Sequence, residues 1–154
     1  AGHALPLDVL RLAGGDLAVN GIVAGVPPDR LRRWHRRRPV EVEIDGVLGE
    51  FEASTVVVMN GQFLRGADVS PRGHPGDGSC EVQIYALAPG ERGAMRARLS
   101  SGAHLPHPRI TTRRGRRVAV RFPRPVPIEK DGHREGRASV IEIEVIPGAY
   151  RLLV

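Results

Sequence analysis

A mainly β domain, built as a two-layer β-sandwich with one or two short helices, is predicted by three observations. Apolar residues recur at period two in several short runs, turn signals rich in Gly and Pro separate those runs, and one run is continuously β-branched. At 154 residues the chain is long enough to bury a hydrophobic core without disulfides or metal, and 1–154 is read as one domain.

The elements follow in order. Asp8 to Leu12 and Leu17 to Ile22 read as short strands between glycines. Pro27-Pro28-Asp29 leads into Arg30 to Arg38, read as a short basic helix that Asp29 caps and that ends before Pro39. Val40, Val42 and Ile44 then alternate with Glu41 and Glu43, Asp45-Gly46 supplies a hairpin turn, and Val47 to Glu52 returns. Thr55 to Met59 has the continuous β-branched character of a central strand covered on both faces.

Residues 60–78 are dense in Gly and Pro and read as a long functional loop. Ser79 to Leu87 alternates again, with Cys80, Val82 and Ile84 on one side. Met95 and Leu99 stand at helical spacing within Glu91 to Ser101, a second short helix that stops at Gly102. Strands follow at Arg109 to Thr112, Arg116 to Phe122, Val126 to Lys130, Ser139 to Ile146 and Tyr150 to Val154, with Asp131-Gly132 as a turn. Arg113, Arg114, Arg116 and Arg117 flank Gly115 in what reads as a charged β-turn.

The formal net charge of +6 comes almost wholly from arginine, since Lys130 is the only lysine. Such a surface favours phospholipid headgroups, nucleotides or nucleic acid, although a GC-rich genome produces the same arginine excess. Cys80 stands alone, so no disulfide forms within the chain, which suits a reducing cytoplasm. No apolar run is long enough to span a bilayer and Ala1 to Asp8 lacks the features of a signal peptide. The expectation is a cytoplasmic protein.

The run Val56-Val57-Val58-Met59-Asn60-Gly61, followed by Gly66, Pro71 and Asp77-Gly78, resembles the C-terminal domain of bacterial lipid kinases of the diacylglycerol and sphingosine kinase superfamily. Downstream, His107-Pro108-Arg109-Ile110, Arg116 to Phe122, Pro125 to Gly132 and Glu144 to Arg151 are similar to that family's later strands, in the same order. Upstream, Pro6-Leu7-Asp8-Val9 and Val19-Asn20-Gly21 are similar to its entry into the second domain.

The resemblance implies a β-sandwich on the acceptor-lipid side of an ATP-dependent kinase, peripheral at the inner membrane surface. It implies that Asp131 orients the catalytic loop and that His133 stands in the position of the proton-accepting glutamate, because the family's Asp-Gly-Glu reads Asp131-Gly132-His133, a plain Asp-Gly hairpin with solvated neighbours being the alternative. Histidine is a competent general base near neutral pH, but its length and geometry differ from those of a carboxylate. The resemblance also places Asn60, Gly61 and Gly66 at the cofactor side of the cleft, with Leu64 and Arg65 reducing the family's glycine triplet. Asp77, with Asp68 assisting, is implied as a Mg²⁺ site, a plain turn aspartate being the alternative.

Nothing in the sequence resembles the family's Gly-Gly-Asp-Gly-Thr nucleotide loop or a P-loop. The nucleotide-binding domain is therefore expected to be absent, ATP to bind only where one is supplied, and the chain to be inactive alone, the alternative being a non-catalytic relative that binds lipid or a protein. A nucleotide-binding kinase domain is one expected partner. The apolar face on which it docks could also drive homodimerisation.

Trp34 among Arg33, Arg36 and Arg37 reads as a membrane- or anion-binding element on the basic helix, or else as a helix whose apolar side packs on the sandwich. Nucleic-acid binding is disfavoured, because few aromatic residues stand outside core-like positions. His74, His104 and His107 match no zinc signature, and no nucleophile elbow supports a self-contained hydrolase.

Overall fold

The computed structural model describes residues 4–153, and its strands appear where the period-two runs stand. The sandwich begins with β1 (Ala4–Leu12), β2 (Leu17–Ala18) and β3 (Gly21–Gly25). It continues with the hairpin β4 (Arg38–Ile44) and β5 (Val47–Ala53), then β6 (Thr55–Met59). A two-residue pair, β7 (Phe63–Leu64) and β8 (Ala67–Asp68), precedes β9 (Cys80–Tyr85). One helix, α1 (Arg92–Arg98), flanked by 3-10 turns at Pro89–Glu91 and Leu99–Ser101, leads to β10 (Ile110–Gly115), β11 (Arg117–Lys130) and β12 (His133–Leu153).

The strands run in the order β10-β9-β6-β3-β11-β12-β1-β2, every pairing antiparallel. Strand β11 belongs to both layers: Val118–Arg121 pair with β4, whereas Ile128–Lys130 pair with β3. Between these stretches the register with β12 shifts from Arg121 to Val126, where Pro123 and Pro125 stand. Proline lacks the amide that a continuous ladder needs, so this is where a strand can leave one layer and enter the other.

Strand β6 lies between β3 and β9 with all five residues buried, as its β-branched run predicts. Val56 and Val58 face the main core with Ile22, Ile84 and Val118. Val57 and Met59 face a second core with Leu31, Tyr85, Met95 and Leu99, where α1 and the 60–78 segment cover the sheet. Strand β9 is likewise buried along its length, so its alternation does not mark a solvated face.

Several boundaries differ from the sequence reading. Leu17 to Ile22 is two strands, parted by a turn at Val19-Asn20. The last four predicted strands join into β11 and β12, because prolines and glycines bend a strand without ending it; Val154 lies outside the described residues. The 60–78 loop contains the β7–β8 pair, turned by Arg65 at φ 49° and Gly66 at φ 74°. Strands β10 and β11 do not pair, so the arginines around Gly115 are not a hairpin tip: Arg113 and Arg114 end β10, Arg117 opens β11, and only Arg116 stands between them.

The largest correction concerns the basic stretch. Only Pro28–Arg30 forms a 3-10 turn, with no side-chain cap, and Asp29 pairs instead with Arg65. Residues 31–37 are an irregular loop, for a reason that lies in α1 and is described below.

Candidate functional site

Three strand-end turns meet at one end of the sandwich, around a single carboxylate. Asp131 stands at φ 50° in the turn joining β11 to β12, and Gly132 follows at φ 83°. That two-residue geometry is the one Asp-Gly is suited to. Asp131 Oδ1 accepts the amides of Asn20 at 2.7 Å and Gly21 at 3.0 Å, and Oδ2 accepts that of Val19 at 2.9 Å. Its own amide donates to the Gly21 carbonyl at 2.9 Å. The carboxylate thereby fixes the β2–β3 turn against the β11–β12 turn.

Asn60 ties in the third turn. Its side-chain amide donates to the carbonyls of Val19 at 2.9 Å and Asp8 at 2.8 Å, and the amides of Asn60 and Gly61 both donate to the Asn20 carbonyl. A Cβ on Gly61 would stand 3.1 Å from Asn20 Oδ1, and one on Gly73 would stand 2.3 Å from the Gly61 carbonyl oxygen. Glycine at both positions lets the backbones close on one another. The structure thus brings together Asp131, Asn60 and Gly61, which the sequence had singled out separately. His133 opens β12 beside them with its side chain exposed.

Two residues of this neighbourhood, Arg65 and Asp8, were not expected from the sequence to belong to the site. Arg65 reaches from the β7–β8 turn to Asp29, at 2.6 Å, and to the buried Glu129, and its aliphatic stem lies so close to Gly132 that a Cβ there would meet Cγ at 2.9 Å. Asp8 is buried, accepting the amides of Gly78 at 2.7 Å and Gly148 at 3.0 Å. It anchors the 74–78 segment where the β1–β12 register shifts. The one visible signal for Asp8 is an acidic residue inside the apolar stretch Leu5–Leu12. Gly66 turns the hairpin that Arg65 tips, and its own Cβ position is open.

The two aspartates expected to hold Mg²⁺ make separate contacts. Asp77 closes a local turn by accepting the Ser79 amide at 3.0 Å and pairs with Arg114 at 2.5 Å, whereas Asp68 accepts from Gln62 Nε2 at 3.1 Å. Among the described residues no cluster of three His, Cys, Asp or Glu side chains is poised to bind metal. An arginine-paired carboxylate and a second one with different neighbours do not make a convergent oxygen cage, so the arrangement does not fit a Mg²⁺ site of these two residues.

Of the histidines, His104 is buried, its Nε2 3.2 Å from the Val69 carbonyl, and burial pushes its pKa down. Its neighbours include the buried ladder in which Tyr85 donates to Gln83 at 2.6 Å and Ser70 donates to Glu81. Cys80 is buried, and desolvation pushes its thiol up to about 12, consistent with an inert core residue.

The basic loop is held from beneath. Arg92 of α1 is buried, and its Nη1 donates to the carbonyls of Arg32 at 2.7 Å and His35 at 2.6 Å while Nε and Nη2 donate to Leu87 at 3.3 and 3.1 Å. Arg96 donates to the Leu31 carbonyl. These guanidinium groups hold the loop carbonyls of Leu31, Arg32 and His35 in an irregular arrangement in which only one local backbone bond survives, the His35 amide donating to the Arg32 carbonyl at 3.3 Å, so the segment turns once and does not run on as a helix. Leu31 is buried, but Trp34 is 75 % exposed and Arg33, Arg36 and Arg37 project around it.

Two open grooves lie elsewhere: one of about 660 Å³ at Pro39, Phe51 and Phe122, and one of about 600 Å³ between Gly14, Asp45 and Glu142. No described helix is long and apolar enough to cross a membrane.

Among solved structures, two of a diacylglycerol kinase from Bacillus anthracis strain Sterne match this fold. They superpose with TM-scores of 0.79 and 0.76 at 18 % and 19 % identity, over 97 % of this chain. The chain spans a little over half of their length, 57 % and 56 %. No curated protein sequence matches it. Residues 27–154 match the YegS C-terminal NAD kinase β-sandwich-like domain, and the chain belongs to that family.

Proposed function

We propose that this chain is the acceptor-lipid side of an ATP-dependent lipid kinase of the diacylglycerol-kinase type, and that it transfers no phosphate alone. The observation supporting this reading is the Asp131-centred junction, which gathers the Val19–Gly21, Asn60–Gly61 and Gly132–His133 turns at one end of the sandwich and leaves His133 exposed among them. Asp131 is a positioning residue, since all its hydrogen bonds go to backbone amides.

In this reading His133 takes the proton from the lipid hydroxyl as that oxygen bonds to the γ-phosphorus and the bond to the ADP oxygen breaks. A nucleotide-binding domain would hold ATP together with Mg²⁺, and that ion would supply neutralisation of phosphate charge. Val19 and Phe63, 42 % and 54 % exposed on the turn held by Asp131 and on the hairpin tipped by Arg65, form part of the face that meets that domain.

The test is phosphate transfer from ATP, with Mg²⁺, to diacylglycerol or a long-chain base in mixed micelles. The expected result is no product from this chain alone. Product above that of a His133→Ala variant would overturn the inactivity and show a nucleotide site within these residues.

A further inference from the structure

The loop between Pro28–Arg30 and β4 combines features that an ordinary solvated surface does not require. Trp34 is the only tryptophan in the chain and is 75 % exposed, its one aromatic neighbour among the described residues being His35, at 5.7 Å between ring centroids. Leaving so large an apolar ring in water forgoes its burial, and an isolated Trp at a loop tip gains that burial only when the tip enters another phase or partner.

The charge around it is one-sided. Arg30, Arg33, Arg36, Arg37 and Arg38 are exposed, and among the described residues none forms an ion pair. Among the described residues Glu52 is the sole carboxylate bordering the shallow groove of about 560 Å³ that Arg33, Trp34, Arg36 and Arg37 line. An uncompensated positive patch is complementary to a dense anionic surface.

The loop is also preformed. Arg92 lies at 1 % exposure, and the hydrogen bonds it makes from below all go to backbone carbonyls, those of Arg32, Arg33, His35 and Leu87. A charge buried without a counter-ion is costly unless its hydrogen bonds are met, and here the loop backbone meets them. The side chains of the tip are thus presented in one arrangement, which lowers the ordering cost of docking. The same corner touches the candidate site, because Asp29, two residues before Leu31, pairs with Arg65, whose stem lies on Gly132.

We infer that the Arg32–Arg38 loop is a rigid docking surface for an anionic lipid bilayer, with Trp34 entering the headgroup layer and Arg33, Arg36 and Arg37 meeting lipid phosphates. A tryptophan flanked by cations suits the membrane interface, where an amphipathic ring sits at headgroup depth and basic residues meet the negative surface. A nucleic-acid strand fits less well, since base stacking along a strand uses a series of aromatic platforms and this loop offers one. The inference does not depend on the kinase reading, because vesicles without diacylglycerol test it.

The experiment is tryptophan emission and cosedimentation of the whole chain with vesicles of phosphatidylcholine alone or mixed with phosphatidylglycerol, the emission reporting Trp34 alone. The expected result is a blue shift and binding only with phosphatidylglycerol. Binding should weaken roughly a hundredfold in the R33Q/R36Q/R37Q variant, at about fivefold per arginine, and fade with salt. Trp34→Ala should weaken it severalfold while circular dichroism stays unchanged. Emission that does not move on binding, binding by the triple variant equal to that of the parent, or displacement of the vesicles by an equal phosphate concentration of oligothymidylate would each overturn the inference.

Discussion

Asp131 and Arg92 have the same task with opposite charge. The carboxylate gathers three amides of the Val19–Gly21 turn, and the guanidinium gathers the carbonyls of Arg32, Arg33, His35 and Leu87. Neither forms an ion pair among the described residues, so each organises a loop through its backbone and leaves the loop's side chains to face outward. The difference is depth: Arg92 is 1 % exposed and has little water to replace a lost partner, whereas Asp131 is half-buried. Charge used in this way fixes geometry where a turn has too few apolar residues to pack.

That contrast orders the expected effects. Arg92→Met takes the side-chain donor from the carbonyls of His35 and Leu87 and leaves that of Arg32 only the His35 amide at 3.3 Å, and it should cost about 3 kcal/mol by urea unfolding, with loss of the loop's conformation. A cost under half of that would mean that the loop holds itself. Asp131→Ala removes three charge-assisted bonds from a wetter position and should cost about 2 kcal/mol, and Asp131→Asn should recover part of it, since an amide oxygen still accepts. Equal costs for the alanine and asparagine variants would show that the amides do not need this acceptor.

Asn60→Ala, which frees only the carbonyls of Val19 and Asp8, should cost about 1 kcal/mol and loosen the same turns. The smallest effect is in pH. Burial, then the neighbouring Arg92 guanidinium, holds His35 below its ordinary 6.5, while the Arg32 amide donates to its Nδ1. The unfolded chain therefore protonates His35 first as pH falls. The stability tied to neutral His35 is fully present above 6.5 and is lost as pH falls through the lower folded value. Hydrogen exchange at the Arg32 amide should quicken over that window, and His35→Gln should abolish the dependence.

Much of this architecture was legible in the chain, because burial on one or two faces leaves a period. The β-branched run at Thr55–Met59 marks the doubly covered strand, and Asp45-Gly46 and Asp131-Gly132 mark turns that need positive φ. Asp131, Asn60 and Gly61 each stood out through an Asp-Gly or Asn-Gly pair, but no local pattern shows that their turns meet in one junction. Other features leave no local trace. Arg30 to Arg38 has helical composition, yet its carbonyls are claimed by Arg92 and Arg96, some 60 residues away, and no window of sequence contains both partners. The layer change in β11 hides likewise, since its prolines read locally as strand ends. Asp77 shows the converse: a loop composition suited to a cation turns out to be satisfied by Arg114 from β10.

The acceptor-side reading is tested most directly by titrating the isotope-labelled chain with a short-chain diacylglycerol and following its amide resonances. The account predicts shifts gathered at Val19–Gly21, Asn60–Gly61 and Gly132–His133. Shifts confined to the groove of Pro39, Phe51 and Phe122, or none at saturating lipid, would contradict it.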